Sequence, residues 1–244
     1  MSRTIPAVFA VVPAYQASAT VGAVVVQAGR HLPVLVVDDG STDETAAVAE
    51  AAGAHVLRQV PNQGKGAALR RGFRSALEDG ATAVLTLDAD GQHDPSCIPD
   101  FLAIWRDGHA PLVIGQRDFR QMPLSRRLAN NLGTWTFSWA VGRRIADNQS
   151  GYRLIARPLL PHLLRSTEAG FEFEVEMITL AIRAGLAIDW VHIPTIYDEQ
   201  GSHIRPVAHV TNFLRIAWAA RRSVAMPLDL DDDQRPSRQH HDRR

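Results

Sequence analysis

The chain has 244 residues, room for one large domain or two small ones, and 45% of them are hydrophobic, enough for a sizeable core. Lysine plus arginine and aspartate plus glutamate number 26 each, so the formal net charge is zero and a dedicated nucleic-acid binder is not expected. The one cysteine, Cys97, excludes an internal disulfide and any multi-cysteine metal site and fits a reducing, cytoplasmic compartment.

The opening run AVFAVVPAY (7–15) is apolar and β-branched up to Pro13, which predicts a buried first strand; it is too short for a secretory core. ATVGAVVVQAG (19–29) is weakly periodic and predicts a helix capped by Ser18 or Thr20. PVLVVDDGS (33–41) predicts a second buried strand ending in acid and a turn. STDETAAVAEAAG (41–53) predicts a helix with Ser41 or Thr42 as cap, acids in its first turn and Gly53 at its end. AHVLRQ (54–59) follows as a strand, GKGAALRRGFRSALEDG (64–80) as a helix closed by Gly80, and TAVLTLDAD (82–90) as a fourth strand. PSCIPDFLAIWRDG (95–108) predicts a helix and APLVIGQR (110–117) a fifth strand.

Beyond Arg117 the pattern changes. Residues 122–144 form one long helical stretch, aromatic in the middle and basic at both ends. DNQSGYRLIAR (147–157) predicts a turn and a strand, FEFEVEMITLAIRAG (171–185) a helix opening on glutamates, and LAIDWVHIPTIY (186–197) a strand. A last helix over 205–225 is aromatic on one side and basic on the other. The expected organisation is one domain over 1–205, an amphipathic helix over 206–226 and a disordered charged tail over 227–244. No window holds the roughly 20 apolar residues that span a bilayer, so a membrane would be touched and not crossed.

Strands alternating with helices imply an α/β layer fold with a mainly parallel sheet, whose ligands bind beyond the carboxyl ends of the strands. Pro13, Ala14, Tyr15, Asp38, Asp39, Asp88 and Asp90 fall there. Asp88 and Asp90 flank Ala89, so on an extended segment they project the same way, about 7 Å apart. Two such carboxylates suit a hard divalent ion, Mg²⁺ or Mn²⁺, shared with substrate phosphates, and Gln92 or His93 adds a ligand. The alternative is that these acids cap the next helix, which Asp94 before Pro95 does in any case. Asp38 and Asp39 suit either a nucleobase and ribose or plain turn chemistry. Lys65, between Gly64 and Gly66 at a helix start, suits a phosphate, although the pattern is not a Walker loop. The absence of a G-x-G-x-x-G after the first strand disfavours a dinucleotide-binding reductase.

Taken in order, VVPAYQ, VVDDGSTDET, NQGKGAALRRGF, LTLDADGQHDP and NQSGYRLI resemble a family 2 inverting glycosyltransferase of GT-A fold, nearest the polyprenyl- or dolichyl-phosphate mannosyl- and glucosyltransferase branch, over roughly residues 6–205. The resemblance implies that Pro13, Ala14, Tyr15 and Asp38 or Asp39 hold the base and ribose of a nucleoside-diphosphate hexose (UDP or GDP). It puts Lys65 near the base or the phosphates and Asp88, with Ala89, on the ribose side. Asp90 and Gln92 would hold the metal on the diphosphate. Arg117 would face the phosphates or the acceptor, and Asp147 and Arg153, in the segment resembling Asp-x-x-Ser-Gly-Phe-Arg, would lie by the acceptor. Ser202 and His203, followed by Arg205, match a post-strand segment that reaches an acceptor phosphate or makes a structural turn. Gln16-Ala17 stands where the family often has Asn-Glu, and the Gln-x-x-Arg-Trp motif of processive synthases is absent, which implies a single transfer per acceptor.

The implied reaction is displacement at the anomeric carbon, the leaving diphosphate being neutralised by the metal, Lys65 and Arg117. A lipid-phosphate acceptor is already anionic. A hydroxyl acceptor needs a base, and Asp147 is the candidate, with Glu172, Glu174 and Glu176 behind it. Trp135, Phe137 and Trp139 between basic pairs, and Phe213, Leu214 and Trp218 with Arg215, Arg221 and Arg222, fit either a membrane interface or core packing. The rival readings are transfer to a soluble or protein hydroxyl, a nucleotidyltransferase lacking its Gly-rich Arg-containing loop, and a non-catalytic sugar-nucleotide binder.

Overall fold

A computed structural model describes residues 7–108, 110–121, 124–170, 172–196, 215, 217–226 and 228. Seven strands, β1 (Val8–Ala14), β2 (Val34–Asp38), β3 (His55–Arg58), β4 (Ala83–Thr86), β5 (Leu112–Arg117), β6 (Arg153–Ala156) and β7 (Ile188–Ile193), make one sheet in the order β3-β2-β1-β4-β6-β5-β7. β1 to β4 pair in parallel, as do β5 and β7, while β6 is antiparallel to both its neighbours. The mainly parallel α/β sheet expected from the apolar runs is the one that forms, with one reversed strand.

The helices are α1 (Val21–Ala28), α2 (Thr45–Ala51), α3 (Lys65–Glu78), α4 (Ile98–Gly108), α5 (Leu124–Val141), α6 (Leu160–Leu164) and α7 (Glu172–Arg183), with a further helix over 217–224. They cover both faces of the sheet, which is why the inner strands are apolar throughout. On one face Val8, Ala10 and Val12 of β1 pack with Val21 and Val25 of α1 and Phe101 of α4. On the other, Val11 packs with Leu69 and Phe73 of α3, Phe137 of α5 and Phe173 of α7. Each such valine, leucine or phenylalanine taken fully out of water is worth about 1.5–3 kcal/mol. α3 lies tightly on β1 because Gly72 has no Cβ: one placed there would come within 2.4 Å of Val11 Cγ1.

Several local expectations are corrected. Neither Ser41 nor Thr42 caps α2; the helix starts later, at Thr45, whose N–H donates to Asp43 Oδ1 (3.1 Å), so no acid lies in its first turn. Thr20 occupies the N-cap of α1 but makes no cap bond there, and its hydroxyl donates instead to the Ala89 carbonyl (2.7 Å). Asp94 does cap the short turn at Pro95, accepting from the Ser96 N–H (2.9 Å). The domain boundary expected at 205/206 lies outside the described residues, as do Ser202, His203, Arg205, Phe213 and Leu214. Of the expected tail over 227–244 only Leu228 is among the described residues; it packs against the core and its N–H donates to the Arg183 carbonyl (3.1 Å). No helix among the described residues is long and apolar enough to cross a membrane.

Candidate functional site

The carboxyl ends of β1, β2, β4 and β5 share one edge of the sheet. Because β6 runs the other way, the loop that precedes it, 147–152, is delivered to that same edge. The Thr86 hydroxyl, at the end of β4, ties the two together by donating to the Gly151 carbonyl (2.7 Å). Two clefts open there. One, of about 610 Å³, is lined by Pro13, Ala14, Tyr15, Asp39, Lys65, Asp88, Ala89 and Asp90 among others. The second, of about 1070 Å³, is lined by Arg117, Arg120, Arg127, Arg143, Arg144, His192, Trp135 and Trp139 among others.

In the first cleft the Lys65 ammonium sits between two carboxylates, 2.6 Å from Asp88 Oδ1 and 2.8 Å from Glu174 Oε1. Burial opposes its charge, but Asp88 and Glu174 outweigh burial and hold the ammonium above the ordinary lysine range. Burial likewise pushes the Asp88 carboxyl up, and the positive charges of Lys65 and, further off, Arg117 bring it below the ordinary value. Asp88 is thus an ionised carboxylate already matched by a cation. The start of α3 is less open to a phosphate than expected, since the Gly66 N–H donates to the Ala169 carbonyl (2.7 Å) and a Cβ at Gly64 would lie 2.7 Å from that oxygen.

Asp38 and Asp39 are both buried and serve the turns around them. Asp38 accepts from the Ser41 N–H (3.1 Å). Asp39 accepts from the Gln59 side chain and from the N–H groups of Gln63 and Gly64 (2.8 Å each), so it shapes the 59–64 loop that walls the cleft. Tyr15 is exposed at the cleft mouth. Gln16, at φ +51°, is pinned to the next turn by bonds to Ser41 Oγ (3.0 Å) and Thr42 Oγ1 (2.8 Å).

Asp90 is exposed, and one of its oxygens accepts from the Gln92 N–H (2.9 Å). His93 is not placed as a ligand: it is buried, its Nδ1 accepts from the Asp88 N–H (3.0 Å), and its ring stacks on Tyr152 at 5.1 Å. Burial pushes its imidazole below the ordinary range, so it is neutral. No group of three or more His, Cys, Asp or Glu among the described residues forms a ready-made metal cage. The exposed Asp90 carboxylate would suit a hard divalent ion whose remaining ligands are phosphate oxygens of a bound molecule.

In the second cleft Arg117 is held from behind. Its Nε and one terminal nitrogen donate to the two oxygens of Asp147 at 2.7 and 3.0 Å. Asp147 has no exposure and also accepts from the backbone N–H groups of Gln149 (2.9 Å) and Ser150 (3.2 Å). With both oxygens engaged and none facing a cleft, it is not set to take a proton from a hydroxyl, and the base role expected of it is corrected to positioning Arg117. Arg153 is corrected too. It is 0% exposed and donates to the carbonyls of Ser150 (2.7 Å), Asn148 (3.2 Å) and Glu174, so it knits loop to core and offers an acceptor no open surface. Nor do the glutamates stand behind Asp147: Glu172 pairs with Arg215 (3.0 Å), Glu176 accepts from Ser166, and Glu174 reaches Lys65.

Gly151 was given no role of its own from the sequence, and Glu174 was expected behind Asp147 and not at Lys65. A Cβ at Gly151 would stand 2.9 Å from Glu174 Oε1, 3.0 Å from Lys65 Nζ and 3.1 Å from Asp88 Oδ2. Gly151→Ala is therefore expected to displace those side chains. Turnover should fall roughly 10- to 100-fold, as for a misplacement of about 1 Å, with only about 1–2 kcal/mol lost in stability. Steady-state kinetics beside a thermal melt check this, and unchanged turnover would show the three charges to be remote from the chemistry.

A model of the family described as Glycosyl transferase family 2 matches residues 9–157. The undecaprenyl-phosphate mannosyltransferase of Micrococcus luteus is 34% identical over 68% of this chain and 72% of its own. The polyprenol monophosphomannose synthase of Mycolicibacterium smegmatis is 30% identical over 70% of this chain and 72% of its own. Among solved structures, glucosyl-3-phosphoglycerate synthase of Mycobacterium tuberculosis, in complex with Mn²⁺, UDP-glucose and phosphoglyceric acid, superposes with a TM-score of 0.69 at 22% identity, covering 92% of this chain and 82% of that one.

Proposed function

The chain belongs to glycosyl transferase family 2 and is a glycosyltransferase of GT-A fold; from that premise we propose that it moves one sugar from a nucleoside-diphosphate hexose to a polyprenyl phosphate, with inversion at the anomeric carbon. The observation that carries this reading is the meeting of two unlike clefts at one sheet edge. The smaller holds the carboxylates and suits a nucleotide with its diphosphate. The larger is cationic and walled by two indoles, which suits a phosphate attached to an apolar chain. The names of the two relatives, an undecaprenyl-phosphate mannosyltransferase and a polyprenol monophosphomannose synthase, support an acceptor of that class.

In this reading Pro13 to Tyr15 and the 59–64 loop shaped by Asp39 enclose the base and ribose. Lys65 holds Asp88 ionised and in place at the donor. A Mg²⁺ or Mn²⁺ ion held by Asp90, with Asp88 and Gln92 beside it, would neutralise charge on the departing diphosphate. Arg117, oriented by Asp147, attracts the acceptor phosphate toward the anomeric carbon from the second cleft. That phosphate is already an anion, so no protein base has to deprotonate it, which agrees with the engagement of Asp147. Transfer to a soluble or protein hydroxyl would want an accessible base, and the candidate for it is buried. The protein would work at the inner face of a membrane.

The test is release of nucleoside diphosphate from UDP- and GDP-hexoses with Mn²⁺, with and without a short-chain polyprenyl phosphate. Release that requires the prenyl phosphate is expected. The matching nucleotide at 100 times its dissociation constant should stabilise the fold by about 2.7 kcal/mol in a thermal melt. Equal release with a soluble sugar alcohol as acceptor would refute the lipid assignment.

A further inference from the structure

We propose that the outer face of α5, joined to the exposed side of the helix over 217–224, is a docking surface for an anionic lipid bilayer; this rests on the lipid-phosphate reading of the second cleft and says how the acceptor reaches it. Leu128, Leu132, Trp135 and Trp139 recur every three or four residues, so they fall on one stripe of α5. The helix buries Phe137, Ala140 and Val141 on its inner side, while these four are 61%, 56%, 68% and 62% exposed. Four large apolar side chains in line, facing water, exceed the scattered single exposures normal for a surface.

The second helix extends the patch. Trp218 is also exposed, and the Arg222 guanidinium lies 4.0 Å from its ring centroid. Arg221 lies 4.8 Å from the Trp139 ring, which links the two helices. The apolar stripe is thus edged by Arg127, Arg143, Arg144, Arg221 and Arg222. Indoles with arginines around them match an interface where rings sit among head groups and cations meet anionic lipid. The surface is continuous with the second cleft, because Trp135 and Trp139 belong to both. A prenyl phosphate in the bilayer would rise along these rings to Arg117 without its chain crossing water.

The experiment uses the full chain, co-sedimented with phosphatidylcholine vesicles with and without phosphatidylglycerol, and two variants outside the cleft lining. The parent is expected to pellet with the anionic vesicles. L128Q/L132Q should bind them at least about tenfold more weakly. R221Q/R222Q should lose roughly 25-fold, about fivefold for each arginine near the surface. All three should melt alike and transfer equally to a short-chain, water-soluble prenyl phosphate. A parent that ignores anionic vesicles while transferring to that short acceptor overturns the surface and leaves the function standing. Vesicle binding without transfer to any prenyl phosphate upholds the surface and removes the function. Self-association lost in L128Q/L132Q, with no vesicle binding, would assign the stripe to a second copy of the chain and overturn the proposal.

Discussion

Replacing Asp147 with alanine is expected to lower the unfolding free energy by about 3–5 kcal/mol, the usual cost of removing one partner from a buried ion pair. Asp147 has no exposure, and it accepts from two nitrogens of Arg117 and from the N–H groups of Gln149 and Ser150. Alanine leaves those donors and a partly buried guanidinium without their acceptor. For a domain of this size the melting midpoint should fall by roughly 6–20 °C. Transfer should fall with it, because Arg117 loses what orients it. Asp147→Asn separates the roles. Its amide oxygen can still accept from the loop N–H groups, so the melt should fall by less than for alanine, but Arg117 loses its counter-charge. A base would behave differently, with a full loss of activity in D147N and an unchanged melt in both variants. That second pattern would restore the catalytic role that the buried geometry argues against.

Asp147 also shows where sequence reading stops. The parallel strands were legible because burial on both faces writes itself as unbroken apolar runs such as VLVVD, all five residues of which are buried. The Asp94 cap was legible because its bond spans two residues. The direction of β6 was not, since the four apolar-framed residues RLIA pair as well either way, and no local signal tells which neighbours they find. That reversal decides the site, for it swings Asp147 to Gly151 onto the edge where Asp88 already stands. Arg153 and Asp147 were expected by the acceptor because their segment resembles Asp-x-x-Ser-Gly-Phe-Arg, and charged residues are rarely fully buried. They are buried here because distant segments supply their partners: Glu174 lends its carbonyl to Arg153, 21 residues away. Glu174 was expected, with Glu172 and Glu176, behind Asp147, and its bond to Lys65 crosses 109 positions that no spacing rule connects.

The two acids of LDAD therefore differ in kind. Asp88 is neutralised by Lys65 before any ligand arrives, whereas Asp90 is exposed and gives one oxygen to a local turn. Removing Asp90 should cost the fold almost nothing and the reaction a great deal. Asp90→Ala is expected to melt within about 0.5 kcal/mol of the parent, as surface substitutions do. Its transfer rate should fall at least about 1000-fold, close to 4 kcal/mol of transition-state stabilisation. Chelation of divalent ions should bring the parent down to the same level and leave the variant where it is. The pairing of the two treatments is what tests the assignment, since a carboxylate that merely shaped the loop would lose activity without becoming indifferent to chelator. Asp90→Ala turning over as fast as the parent would sink the metal site, and with it the division of labour in which Lys65 serves Asp88 so that Asp90 is left to meet the ion.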